Sequence, residues 1–209
     1  RSELAVPCLL GRPRLSARPP GTSCGSEPWE VGRWQAAAVT PSPALLPAGP
    51  DDRPFLDAML VEAAFPPGTD RPADPLGDDH VARYLDGWRG DVDAAGPEVG
   101  LVARIDGRRV GAAWTRLLPP ERAGYGFVAP DVPELTVAVV ATARGAGVGR
   151  ALVAGVLDLA AARSVERVSL SVADEVNPGA AALYRSLGFE PVGRDDGGSL
   201  TMVATLPRR

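Results

Sequence analysis

The stretch from Glu134 to Arg150, ELTVAVVATARGAGVGR, joins a run of β-branched residues (Thr136, Val137, Val139, Val140) to a glycine-rich segment and then to an amphipathic helical pattern. Strand, glycine loop and helix in that order suit the capture of an anion. Gly145, Gly147 and Gly149 carry no Cβ, so the backbone can approach a phosphate, and the N–H groups at a helix start have no intrahelical acceptor. A pyrophosphate fits such a loop, and the neighbouring residues limit its source. A nucleoside-triphosphate loop needs Gly-Lys followed by Ser or Thr, and the chain contains no lysine. A dinucleotide fingerprint also fails. With Gly145 and Gly147 as its first glycines the third falls on Arg150, and with Gly147 and Gly149 it falls on Leu152.

What remains, Arg144-x-x-Gly147-x-Gly149, resembles the Arg/Gln-x-x-Gly-x-Gly/Ala signature of GNAT-type N-acyltransferases, which bind the pyrophosphate of acetyl-CoA. A second motif lies downstream. Residues 177–189, NPGAAALYRSLGF, resemble that family's Asn-x-x-Ala-x-x-Leu-Tyr-x-x-x-Gly-Phe at Asn177, Ala180, Leu183, Tyr184, Gly188 and Phe189. Between the motifs lie one expected helix (Val148 to about Arg163) and one expected strand (Val168 to Val172), the order that the family uses. The motifs cover about residues 134–190, and the order of elements extends the resemblance over most of the chain after position 44.

The resemblance implies an acetyl-CoA-dependent N-acetyltransferase, with acetyl-CoA as cosubstrate and no metal. It implies that the backbone of Ala138, Val139 and Val140 pairs with the pantetheine amides as a substitute strand. The N–H groups of Gly145, Ala146, Gly147, Val148, Gly149 and Arg150, with Arg144 beside them, would hold the pyrophosphate. Asn177 would help to hold the pantetheine arm, Tyr184 would act as general acid towards the departing thiolate, and Glu134 would act as general base. A protonated amine cannot attack a thioester, and freeing a lysine-like amine at pH 7 costs roughly 4.6 kcal/mol against about 1 kcal/mol for an α-amine, so a base is useful. The residues alone leave other readings open: a solvated strand-end Glu134, a Tyr184 that packs beside Leu183 and Leu187, and an Asn177-Pro178 helix cap. At the level of function the alternatives are a catalytically silent acetyl-CoA sensor on the same fold and a plain interaction domain.

These residues need a scaffold, and 209 residues with 45 % hydrophobic content suffice for one domain with a sizeable core. Residues 1–43 hold proline and glycine punctuation and no sustained period, and read as a poorly ordered tail; residues 44–209 read as the acetyltransferase domain. Within that domain the pattern predicts a strand near Ala44, a helix from about Asp52 to Ala64 capped by Asp51 or Asp52, and a short helix with Val81, Tyr84, Leu85 and Trp88 on one face. The resemblance implies that this region forms the acceptor-substrate wall, and core packing is the other reading of these residues. A hairpin through Asp106-Gly107 follows, with Trp114 and Arg116 alternating on its second strand; one of the two is a candidate to reach the acceptor pocket, and an ordinary sheet-face role is the alternative. The expected fold is α/β: a mixed, mostly antiparallel sheet of six or seven strands with about four helices. Strands 4 (135–140) and 5 (168–172) run parallel because a helix connects them. The resemblance adds that they splay apart.

Composition bears on partners and compartment. Cys8 and Cys24 both lie in the tail, which gives neither a disulfide framework nor a ligand set, and no run approaches a membrane span; the chain reads as cytoplasmic. Residues 44–209 carry 17 of the 22 arginines and 23 of the 26 acids, a net charge of −6 that does not suit nucleic acid. A small-molecule or peptide amine suits that charge better, and a homodimer is compatible with it. His80, the single histidine, sits among acids at a helix start and reads as a surface residue outside the site.

Overall fold

The computed structural model describes residues 42–66, 69–90, 96–195 and 197–207. The tail expected over 1–43 lies, except for its last two residues, outside the described residues. Among the described residues the chain forms seven strands and four α-helices. They are β1 (Ala44–Pro47), α1 (Arg53–Ala64), α2 (Asp79–Ala82), β2 (Gly100–Ile105), β3 (Arg108–Arg116), β4 (Glu134–Val139), α3 (Val148–Ala162), β5 (Arg167–Val172), α4 (Pro178–Ser186), β6 (Phe189–Arg194) and β7 (Leu200–Thr205). The strands make one sheet in the order β1-β2-β3-β4-β5-β7-β6, antiparallel except between β4 and β5. This is the mixed α/β sheet that the sequence predicts.

Strand alternation sorts the core into two layers. Leu101, Ala103, Ala113, Leu135, Val168 and Leu170 turn to the face covered by α3 and α4, where Val148, Leu152, Val153, Val156, Tyr184 and Phe189 meet them. Val102, Ala112, Trp114 and Ala138 turn to the other face, beneath Leu56, Met59 and Leu60 of α1 and beneath Val81, Tyr84 and Leu85. The hairpin turn forms at Asp106 (φ 49°) and Gly107 (φ 76°), the left-handed pair that an Asp-Gly turn supplies.

Two local expectations change. Helix α2 ends at Ala82, and Tyr84, Leu85 and Trp88 are buried from the turns that follow it rather than from a continued helix. Asp52 precedes α1 without a side-chain cap bond to it: its Oδ2 accepts from the Gly49 N–H at 3.1 Å and its Oδ1 from Arg109 Nε at 2.7 Å. An arginine on the neighbouring hairpin outbids the cap. No described helix is long and apolar enough to cross a membrane.

Phe189, 1 % exposed, closes the α3/α4 layer by meeting Tyr184 edge-on with ring centroids 5.8 Å apart. Phe189→Ala is expected to cost about 3–5 kcal/mol in urea unfolding. A loss below about 1 kcal/mol would contradict this packing.

Candidate functional site

Strand β4 meets β5 at one register position, Glu134 opposite Ser169, where the Ser169 N–H donates to the Pro133 carbonyl at 3.0 Å. Beyond it the two strands part, while β4 stays paired with β3 as far as Val139 and β5 with β7 over six positions. The parity of the β4 backbone follows from its bonds. Val140 N–H donates to the Val110 carbonyl of the β3 side while the Val140 carbonyl accepts from the Ala143 N–H at 2.9 Å, so the Val140 N–H and the N–H and C=O groups of Ala138 and Thr136 face β3. Pro133 faces β5, and by the same alternation Val137 and Val139 present their N–H and C=O groups to the opening. Of the three residues expected to pair with pantetheine, Val139 alone has this orientation. Its carbonyl accepts from Arg144 Nε at 3.1 Å, and the Arg144 guanidinium also pairs with Glu62 on α1.

The glycine loop follows directly. Gly145 (φ 76°) and Gly147 (φ 80°) are left-handed, and Gly147 is the N-cap of α3 with no side-chain cap bond. The first helical bond is donated by Ala151 to the Gly147 carbonyl at 3.0 Å. Among the described residues no acceptor meets the N–H groups of Gly145, Ala146, Gly147, Val148, Gly149 and Arg150. That is the donor array an oxyanion needs at the N-terminus of a 15-residue helix. Gly149 lies where a Cβ would make only ordinary contact with Leu183 and Val139, so its role is proximity rather than strain. Arg150 bonds Ser186 Oγ at 2.6 Å and thereby ties α3 to α4. An open depression beside the loop is lined by Asp106, Arg108, Val110, Thr142 and Ala146.

Glu134 is 4 % exposed. Its Oε1 accepts from the Tyr84 hydroxyl at 2.6 Å and from the Gly126 N–H at 2.7 Å, whereas Oε2 is buried with no partner among the described residues. Burial pushes its carboxyl up to about 7, against the two hydrogen bonds and the attraction of the buried Arg83 guanidinium, which favour the ionised form. The loop before β4 encloses it. A Cβ on Gly124 would lie 2.1 Å from Oε2, and one on Gly126 would lie 2.5 Å from the Leu170 carbonyl carbon. Ser169, opposite Glu134 and fully buried, also has an unpartnered Oγ among the described residues.

The second motif is a short helix with its ends defined. Asn177 Oδ1 accepts from the Ala180 N–H at 3.1 Å as the N-cap of α4, and Gly188 (φ 88°) turns the chain out of the helix into β6. Asn177 therefore caps, with its amide group on an exposed residue. Tyr184 is buried against Phe189, its hydroxyl has no hydrogen-bond partner among the described residues, and burial pushes it up to about 12.

Of the other candidates, His80 is exposed and 3.2 Å from an Arg83 nitrogen. Trp114 is fully buried with its indole N–H on the Tyr84 carbonyl at 2.9 Å, and Arg116 bonds Glu98 and the Asp86 carbonyl. Tyr84, which contacts Glu134, carries no catalytic signal in the sequence. Its helical spacing beside Val81 and Leu85 signals packing, and nothing local shows that its hydroxyl reaches a carboxylate fifty positions away.

The sequence model of the acetyltransferase (GNAT) family matches residues 62–189. No curated protein matches the chain. Among solved structures, a ribosomal-protein-alanine N-acetyltransferase from Brucella melitensis is similar at 26 % identity and a TM-score of 0.54, over 78 % of this chain and 99 % of that one. The yncA protein of Salmonella typhimurium, solved with its cofactor acetyl-CoA, shares the fold at 19 % identity and a TM-score of 0.58, over 81 % of this chain and 96 % of that one. A phosphinothricin acetyltransferase from Sinorhizobium meliloti, in complex with acetyl-CoA, shares it at 19 % identity and 0.56, over 78 % and 88 %.

The Glu134 environment makes stability depend on pH. The folded state holds this proton more tightly than the unfolded chain, whose carboxyl titrates near 4.5. The stabilisation is therefore full below about pH 4.5 and is lost as pH rises through about 7, in all about 3 kcal/mol. Urea unfolding from pH 5 to 8 should show a steeper fall for the native chain than for Glu134→Gln. Coincident slopes would show that the carboxyl titrates normally.

Proposed function

This chain belongs to the acetyltransferase (GNAT) family, and on that premise we propose that residues 44–209 form an acetyl-CoA-dependent N-acetyltransferase domain acting on a primary amine in the cytoplasm. The observation that carries the reading is the buried Glu134 carboxyl, with one unpartnered oxygen, at the point where β4 and β5 part. The residues present fit acetyl-CoA. The donor array from Gly145 to Arg150 suits its pyrophosphate, with Arg144 beside it, and the backbone of Val139, flanked by Ala138 and Val140, suits its pantetheine amides. The capping amide of Asn177 adds a polar group to the pantetheine side. When bound, acetyl-CoA supplies the activated acyl group.

Glu134 takes the proton of the incoming ammonium. A carboxyl near 7 receives a proton from an α-amine of pKa about 7.8 at a cost of about 1 kcal/mol, against roughly 4.6 kcal/mol from a lysine-like amine. This favours small-molecule or peptide acceptors whose amine has a low pKa. Tyr184 serves the leaving sulfur. A phenol near 12 facing a thiol of pKa about 8.5 would give up its proton uphill by roughly 5 kcal/mol, so it acts first as a hydrogen-bond donor to developing negative charge and transfers the proton late.

A panel of amines assayed by thiol release tests the function, with α-amines expected to turn over fastest. Binding of acetyl-CoA without thiol release from any amine would instead identify a silent sensor. Tyr184→Phe is expected to lower kcat by at least about tenfold while acetyl-CoA affinity stays nearly unchanged. An unchanged kcat, with the chemical step shown to be rate-limiting, would remove Tyr184 from the mechanism.

A further inference from the structure

The geometry points to Tyr84 as a positioning residue that holds Oε1 of Glu134, so that Oε2 alone carries the proton that Glu134 gains and loses; this rests on Glu134 being the base. The Tyr84 hydroxyl accepts from the Tyr125 N–H at 2.8 Å, so its own hydrogen is directed at Glu134, 2.6 Å away. The Gly126 N–H, the second donor, reaches the same oxygen. With two donors aimed at Oε1, a protonated carboxyl has to carry its hydrogen on Oε2.

Tyr84 is itself held. It is 6 % exposed, and its carbonyl accepts from the indole of the fully buried Trp114 at 2.9 Å. The remaining groups around Glu134 are accounted for. Arg83, beyond α2, is buried and bonds Asp79 and the Ala123 carbonyl, and it acts on the carboxyl through charge alone. Arg116, the cross-strand neighbour on β3, bonds Glu98 and the Asp86 carbonyl through its terminal nitrogens, and its buried Nε has no partner among the described residues. Ser169, from β5, does not titrate in this range. Tyr84 is thus the one side chain that hydrogen-bonds the carboxyl among the described residues.

The test reads the Glu134 titration directly and through turnover. In protein carrying 13C-carboxyl glutamate, the Glu134 resonance is identified by its loss in Glu134→Gln. Tyr84→Phe removes a donor to the ionised form and is expected to raise the titration midpoint by about one pH unit. The acid limb of kcat/KM should move with it, about a tenfold loss on that limb, while acetyl-CoA affinity is retained. Placing 3-fluorotyrosine at position 84, a stronger donor of the same shape, should move the midpoint the other way and needs no loss of packing. A merely structural tyrosine would give neither opposite shift. Unmoved midpoints in both variants would overturn the positioning role. Midpoints that move while the acid limb stays fixed would overturn the base assignment to Glu134 and the proposal with it.

Discussion

Peptide groups inside a sheet need hydrogen-bond partners, and β4 is arranged so that half of its partners are withheld. Its β3-facing groups are fully paired, whereas its other edge has one contact with β5, at Glu134 and Ser169. The Val139 carbonyl accepts from Arg144 Nε, and the Val139 N–H with both peptide groups of Val137 is left to find a partner that is not a strand; burial makes an unpaired peptide group costly. The rest of the site is arranged around that edge. The glycine loop begins where β4 ends, α3 starts from it with unclaimed N–H groups, and Arg150 bonds α3 to α4.

At the other end of the opening a carboxylate is kept out of water. Its place depends on two residues without side chains, since Gly124 and Gly126 leave room for Glu134 and for the β5 backbone. Desolvation raises its proton affinity, and Tyr84, Gly126 and Arg83 oppose it without cancelling it. The balance leaves the group half-ionised near neutral pH, the condition in which a carboxyl both accepts and releases a proton readily. That readiness costs stability on the alkaline side.

Much of this was legible in the chain itself. The glycine signature, the Asn177 cap, Gly188 and the Asp106-Gly107 turn are local: each sets the backbone conformation of its own neighbourhood through a missing Cβ or a short polar side chain, and needs no distant residue to do so. Strand and helix periods follow the same rule, because alternation at two or 3.6 residues decides which face is buried. Hence the sheet, the parallel β4–β5 pair and the position of the glycine loop before α3 could be expected from the sequence.

Three features were decided by tertiary structure alone. Which peptide groups of β4 face the opening depends on its register with β3, and register is a relation between strands that no single strand encodes, so Ala138 and Val140 fall on the paired side and Val139 on the open one. Asp52 gave up its capping role because Arg109 arrives from a hairpin far along the chain. The acid at Glu134 acquires its burial, its two donors and its unpartnered oxygen from Tyr84 and from the loop through Gly126. Charge burial and hydrogen-bond geometry depend on what surrounds a group in space, and the local sequence around Glu134 contains none of the side chains that surround it.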